Sequence, residues 1–507
     1  MTEASRDNGI RGKIWRAGKR LVEPVGDFQT ARWLFLRLVA VIAFIAFLSF
    51  HLQMSGLVGE KGILPAQDFL DRIEENTGTE RYLEFPTLAW LGSSNTALHT
   101  ITTAGMLVSI VLFFNLAPTV ALFLLWVLYL SIVTVGQVFM SYQWDLLLLE
   151  TLFLSIFIAP LHVSRANPQK ENPPSRLSML IMWFLLFKLL FMSGMSKLIS
   201  GDPAWTNLTA LNYHYLTQPL PTPLAWFMDK LPSLFHQVSA SIMFVAEIIV
   251  PFLFFTPRKI RIKAAYISIG LQVAIMVTGN YTFFNLLTIA LSLLLLDDQH
   301  LSWIRGKLGR WIPEAGKDVP RTWKGIAVVL AGFLVVINLV LFAQMFGISV
   351  PGSVSELKNG VSQFRTVNSY GLFAVMTKKR PEIMVEGSVD GENWRRYRFK
   401  YKPGSTREAP AVVAPHQPRL DWQMWFAAYS SPRRSRWFVS FVRKLLQGSE
   451  PVEKLMAEVP FEEGPRYIRA VRYHYRFSNH TELWKRGKWW RRERKDLYLP
   501  PVHLGSR

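Results

Sequence analysis

The chain has 507 residues, a net charge of +21 and no cysteine, and half of its residues are hydrophobic. The missing thiols exclude disulfides, thiolate metal sites and cysteine catalysis. Charged residues make up only 18% and the apolar ones fall in long blocks, which points to a polytopic membrane protein rather than a nucleic-acid binder.

Residues 1–32 read as a basic cytoplasmic tail, with seven Lys/Arg and four acids. The apolar pattern predicts about nine spans: Trp33 to Leu52, then 99–114, 118–138, 144–160, 177–200, 234–255, 262–279, 281–296 and 325–346. The first reads as a retained anchor, because no small-residue cleavage site follows a short apolar core. Arg37, near its start, can snorkel outward. These runs define a transmembrane helical domain over 33–346. The segments 1–32, 161–176, 256–263 and 297–324 hold 7, 3, 4 and 6 Lys/Arg, whereas the loops 53–98 and 201–233 hold 3 and 1. That imbalance places the first set in the cytoplasm and, with nine spans, the C-terminus outside it.

Residues 351–507 change character. Glu382 to Tyr401 carries two β-rich runs around Asp390-Gly391, a hairpin signal. Tyr467 to Phe477 (YIRAVRYHYRF) is another strand candidate, and Arg436 to Leu446 and Val452 to Ala457 look helical. The expectation is an extracytoplasmic, β-rich α+β domain, sandwich-like, with added helices.

The stretch QWDLLLLETLFLSIFIAP, Gln143 to Pro160, raises the chemical question. Asp145 can stay wet at a loop end, but Glu150 lies inside an apolar run. An acid there costs a few kcal/mol unless protonated or paired. Lys188 and Lys197 are the natural partners. They are nine residues apart and so point to nearly opposite faces, which lets at most one answer Glu150 directly. A buried pair that fixes helix packing is the plain reading; a proton relay or substrate-binding acid is the other. His214, in YHY, and His416, in APHQPRLDW, are candidate general bases or structural histidines. Asn280, Tyr281 and Asn285 read as polar groups satisfying a helix break. Trp205, Tyr213, Tyr215 and Trp226 suit an interfacial belt or an apolar surface for a client chain. The basic, tryptophan-rich run Trp484 to Lys495 suits anionic headgroups or an acidic partner. No phosphate-binding glycine loop, HExxH motif, Cys/His metal cluster or GxSxG elbow occurs. No metal or cofactor is expected.

Several long stretches resemble the lipase maturation factor family: QWDLLLLE at 143–150, FMSGMSKLISGDPAWTNLTALNYHYLTQPLPTPLAW at 191–226, GNYTFFNLLT at 279–288, NSYGLFAVMTKKRPEIMVEGSVDGENW at 368–394 and APHQPRLDWQMWFAA at 414–428. The resemblance implies a multi-pass membrane protein that helps secreted lipases fold and assemble, in the endoplasmic reticulum membrane in animals. It supplies no established catalytic residues. The short tail and compact loops suit a bacterial member, for which the membrane is the plasma membrane.

The expected function is therefore a non-enzymatic folding or assembly factor for exported proteins such as lipases. Its partners would be membrane lipid and an exported client, with no nucleic acid. Its contact residues would be Trp205, Tyr213, Tyr215, Trp226, His416, Arg419, Asp421 and Trp422. The alternative is a membrane enzyme acting on lipid or exported polypeptide through Asp145, Glu150 and a lysine, with His214 as a further catalytic candidate. A water-accessible cavity converging on Glu150 favours the enzyme; a dry, paired Glu150 favours the scaffold. A transporter is weaker, since no inverted repeat is visible.

Overall fold

A computed structural model describes residues 20–163 and 169–504, so residues 1–19 of the expected basic tail lie outside the described residues. Among the described residues, seven helices are long and apolar enough to cross a membrane: Gly26–His51, Asn95–Phe113, Pro118–Val135, Arg176–Ile199, Ser233–Phe255, Arg258–Thr278 and Arg321–Met345. In chain order we label α1 (Gln29–His51), α2 (Asn95–Phe113), α3 (Pro118–Val135), α4 (Gln143–Ser155), α5 (Arg176–Ile199), α6 (Ser233–Phe244), α7 (Arg258–Thr278), α8 (Phe284–Leu293) and α9 (Arg321–Met345). Ser94 and Ser175 start α2 and α5 by accepting from the amides of Ala97 and Ser178, which satisfies otherwise orphaned donors. The α6 path continues through a π-helical turn, Val245–Ile249, and a 3₁₀ segment, Val250–Phe255, set off by Pro251.

The expectation of about nine spans meets a qualification. The runs at 144–160 and 281–296 form α4 and α8, of 13 and 10 residues. At about 1.5 Å per residue these reach only about 20 and 15 Å, short of a hydrocarbon core of roughly 30 Å. Both are largely buried among the long helices. Protein rather than lipid surrounds them, so irregular backbone can finish their paths. The first helix begins at Gln29, so the end of the expected tail is already helical. Arg32 is buried there and pairs with Glu171 at 2.8 Å. Arg37 packs its guanidinium 4.5 Å from the Trp33 ring.

The helices define two faces. At one, Pro24 bridges Ser175, Asp298 accepts from the amides of Gln29 and Thr30, Arg258 pairs with Asp297, and Lys170 aligns with Glu314. The basic segments 256–263 and 297–324 meet at this end. At the other face lie the loops 53–98 and 201–232 and the C-terminal domain. Ser449 Oγ there donates to Lys61 O, and Trp205 Nε1 donates to Phe373 O.

The C-terminal domain is α+β. Its strands β1 (Arg380–Ser388), β2 (Arg395–Arg396), β3 (Tyr467–Phe477) and β4 (Trp490–Val502) form one antiparallel sheet in the order β2-β1-β3-β4. The β1–β2 hairpin forms where the Asp390-Gly391 signal lies. Gly391 takes φ 85°, and Asp390 Oδ1 accepts from the amides of Glu392 and Asn393. Every residue of β1 is buried. Helices α10 (Arg419–Ala428) and α11 (Arg436–Leu446) pack on β1 and β3, so helices supply the second layer. Helix α11 buries Trp437, Phe438, Phe441, Val442 and Leu445, one stripe of an amphipathic helix. The expected helix at 452–457 is only the turn Glu450–Glu453, and Met456–Glu458 is a strand. One hydrophobic core runs from α1 through α8 into this domain without interruption.

Candidate functional site

The acids in apolar segments meet cations at three buried pairs. Glu150 on α4 takes Lys188 Nζ on α5 at 2.5 Å. Its other oxygen accepts from the Asn368 amide (3.0 Å), Asn368 Nδ2 (3.2 Å) and the Tyr370 hydroxyl (2.7 Å). Asp145 is held by Arg419 on α10 through two bonds of 2.9 Å each, and the Tyr129 hydroxyl donates to it at 2.6 Å. Lys197 pairs with Glu247 at 2.7 Å and donates to Ser193 O at 2.9 Å.

Local sequence explains each position. Glu150 and Asp145 are carried by a helix whose other residues are mostly apolar. Lys188 and Lys197 sit on opposed faces of α5, so Lys188 answers Glu150 and Lys197 turns to α6. Glu247 occupies the π turn, where one extra residue re-aims the side chain. Gly194 admits that turn: a Cβ there would lie 2.6 Å from Ile248 Cγ1 and 3.0 Å from Glu247 Cβ. Such pairs cost much of their attraction in desolvation, but breaking one by removing a partner is strongly destabilising. Two of them are closed: the Glu150 and Asp145 carboxylates each have a cation and hydroxyl or amide donors, whereas Glu247 is held by Lys197 beside a cavity. Asp145 and Glu150 answer to different cations on different elements, so the acid–acid–lysine grouping of the enzyme alternative is not assembled as one open site.

The aromatic loop is also occupied. Trp205 is buried and bonded to Phe373 O, and Tyr215 and Trp226 pack with Met384, Tyr475, Phe477 and Trp490 of the sheet. Tyr213 is half-buried, with Lys378 Nζ 5.9 Å from its ring. Arg380 on β1 donates to the carbonyls of Leu216, Gln218 and Pro219 at 2.5–2.8 Å. His214 Nε2 lies 3.0 Å from the Tyr281 hydroxyl, which donates to Gln218 Oε1 at 2.8 Å. Burial, then the Lys197 charge, lowers the His214 pKa to about 4. Asn280 Oδ1 accepts from Val413 and Ala414, and its Nδ2 donates to Ala411 O, which locks the mouth of α8 to the C-terminal domain.

The APHQPRLDW stretch is seam as well. His416 Nδ1 lies 3.0 Å from Ser49 Oγ on α1, and burial lowers its pKa to about 4. Asp421 accepts from the amides of Tyr401 and Lys402, yet burial raises its pKa to about 6. Trp422 packs edge-on against Trp144 at 4.8 Å. The expected contact residues Trp205, Tyr215, Trp226, Arg419, Asp421 and Trp422 are therefore all buried. Their side chains join loop, helices and sheet, and none stands free toward a client. The reason is that aromatic and amphipathic residues serve a protein–protein seam as well as a free surface.

Among the described residues no group of three or more His, Asp or Glu is placed to hold a metal ion. Sequence reasoning missed Glu247, Tyr129, Asn368 and Tyr370, and it named Arg419 without its partner. Glu247 had a signal, a lone acid in the apolar run SIMFVAEIIVPF. The others had none, because their partners are more than a hundred residues away or lie in ordinary aromatic context.

A family profile described as "Lipase maturation factor transmembrane domain" matches residues 30–303, and one described as "Lipase maturation factor C-terminal domain" matches 366–500. The chain belongs to the lipase maturation factor family. It is 38% identical to human lipase maturation factor 2, covering 94% of this chain and 83% of that protein. It is 34% identical to mouse lipase maturation factor 1, covering 94% and 88%. No solved structure matches the chain. With seven long apolar helices among its described residues, this family member is a multi-pass membrane protein. Two of the three ion-pair clusters bind one matched region to the other: Glu150 reaches Asn368 and Tyr370, and Asp145 reaches Arg419. Helix α9 lies between the two matched regions.

Proposed function

We propose that this chain is a membrane-embedded maturation factor that helps exported proteins such as secreted lipases to fold or assemble, and that it does so without catalysing a reaction. The single observation that carries the reading is likeness over 94% of the chain to proteins named lipase maturation factors. The geometry supports the non-enzymatic form, because Glu150 is dry and fully bonded. The C-terminal domain lies outside the cytoplasm, in the lumen of the endoplasmic reticulum for a eukaryotic host or beyond the plasma membrane for a bacterial one. In support, the basic segments gather at the face opposite it, as the positive-inside rule requires of a cytoplasmic face. Trp205, Tyr215, Trp226, Arg419, Asp421 and Trp422 act by holding the outer face in shape. The client meets exposed neighbours on that face, among them Phe426, Tyr429 and Trp484.

The test is deletion of the gene followed by assay of exported lipases. We expect secreted specific activity to fall, and the intact gene to restore it. Restoration should weaken severalfold with Phe426→Ser and Trp484→Ser combined. Unchanged secretion and specific activity after deletion would overturn the reading.

A further inference from the structure

Side chains alternate along β1. Ile383 and Val385 pack in the core shared with Leu420 and Phe438 of the helical layer, so Met384 and Glu386 point to the opposite side of the sheet. There they form the floor of an open groove of about 790 Å³. Its walls are the chain from Trp394 to Glu408, Glu458 and Pro460, and Arg469 and Arg492 of β3 and β4. The volume is near the upper end of the usual range for ligand sites, roughly 300–1,000 Å³.

The charges of the groove decide what it attracts. Six cations and three carboxylates line it, so its field favours an anion. Glu386 is shared between Arg396 at 3.0 Å and Arg469 at 2.9 Å, one acid for two guanidiniums. Arg398 lies 3.1 Å from Glu458 and 3.6 Å from Glu408, in pairs of exposed side chains that hold each other weakly. Arg395 and Arg492 meet no carboxylate among the described residues. Arg492 donates to neutral oxygens, Gly404 O at 3.1 Å and the Tyr475 hydroxyl at 3.4 Å. Arg395, Arg396 and Arg398 are exposed and Arg492 is half-buried, so a ligand can reach them. Trp394, with the Arg469 guanidinium 4.1 Å from its ring, adds an apolar surface between the charges.

We propose that this groove binds an extended acidic segment of a polypeptide, whose carboxylates meet Arg395, Arg398 and Arg492 and whose intervening side chains lie on Trp394. A guanidinium takes a carboxylate through two parallel hydrogen bonds, which gives the contact direction as well as charge. A densely sulfated polymer is disfavoured, because Glu386, Glu408 and Glu458 stand between the cations and repel it. A peptide spaces its carboxylates and passes those acids. The inference rests on the maturation reading for the origin of the polypeptide, an exported client, but the binding itself is measured without one.

The probe is a fluorescein-labelled peptide that alternates glutamate with alanine, titrated with the purified full-length protein in non-ionic detergent and read by fluorescence anisotropy. We expect saturable binding that weakens with added salt, and at least tenfold weaker binding of the same peptide with glutamine for glutamate. Arg395→Glu with Arg398→Glu should weaken binding at least tenfold with an unchanged melting temperature, since both side chains are exposed. Arg433→Glu with Arg434→Glu, the same change of charge at exposed positions outside the groove, should shift the affinity less than twofold. Glu458→Gln, which removes a lining carboxylate, should tighten binding. Equal losses from the two arginine pairs would overturn the proposal, because a chain of net charge +21 would then attract the peptide as a whole. Equal binding of the glutamine peptide to the wild-type chain would overturn it without any variant. Capture of a heparin oligosaccharide with no binding of the peptide would also do so, and would assign the groove to a sulfated sugar. The two readings fail separately: absent peptide binding leaves lipase maturation standing, and unchanged lipase secretion after gene deletion leaves the groove standing.

Discussion

At the scale of single residues, the decisive feature is a carboxylate buried with one cation and three further donors. Substituting Glu150→Gln removes the charge but leaves Lys188 in a dry site. Loss of one partner of a buried pair costs about 3–5 kcal/mol, because the remaining charge is uncompensated. We therefore expect Glu150→Gln to lower the thermal unfolding midpoint sharply in detergent. The double variant Glu150→Gln with Lys188→Met should recover most of the loss, since a neutral, well-packed pair avoids the desolvation. A Glu150→Gln protein that melts like wild type would show that the pair does not hold the helices. The need for a counter-ion was legible in the sequence. The helical spacing of Lys188 and Lys197 limited the answer to one lysine. That Lys188 is the one depended on how α4 lies against α5, which no local pattern encodes.

At the scale of elements, the π turn and Gly194 work together. The turn displaces Glu247 toward Lys197, and the missing side chain at Gly194 lets the two helices approach. Gly194→Val would push against Ile248 and the Glu247 stem. Overpacking of this kind typically costs about 1–3 kcal/mol. We expect a measurably lower melting temperature for Gly194→Val and a smaller loss for Gly194→Ala; equal stability of all three proteins would contradict the close contact. The apolar blocks made most long helices readable, because a lipid-facing helix needs an unbroken apolar run of about 20 residues. The same criterion misjudged the lengths of α4 and α8. Helices surrounded by other helices are equally apolar but have no length to meet. The β1–β2 turn and the α11 stripe were readable because both are short-range patterns. The sheet's main pairing, β1 with β3, joins residues about 90 apart, and its register from Arg380↔Tyr475 to Ser388↔Tyr467 was not.

At the scale of the whole molecule, the C-terminal domain is clamped to the helices along a seam, and two histidines sit in it. His214 and His416 both titrate near 4 when folded, well below the ordinary value of about 6.5. Between pH 6.5 and 4 the unfolded chain binds protons at these positions that the folded chain does not. Stability from them is thus full above pH 6.5 and is lost as the pH falls through that window. Asp421 has the opposite sign: its raised pKa, about 6, favours the folded state toward acid pH. The two histidines outweigh the one acid. We expect the unfolding midpoint to drop on going from pH 6.5 to 4.5, and the drop to shrink in a His214→Gln, His416→Gln double variant. An identical drop in both proteins would remove the histidines from the account.

The sequence by itself determined the solvent of the first two-thirds of the chain, the β-rich character of the remainder, and the requirement that intramembrane acids be answered. Those are properties of composition and near-neighbour spacing, and hydrophobic runs and turn signals carry them locally. Only the tertiary structure decided that Arg419 reaches back to Asp145 across 274 positions, that Glu247 claims Lys197, and that the aromatic loop is consumed by the sheet. Complementary charge and aromatic surface can be satisfied by many partners. Which one is met depends on where distant backbone segments come to lie.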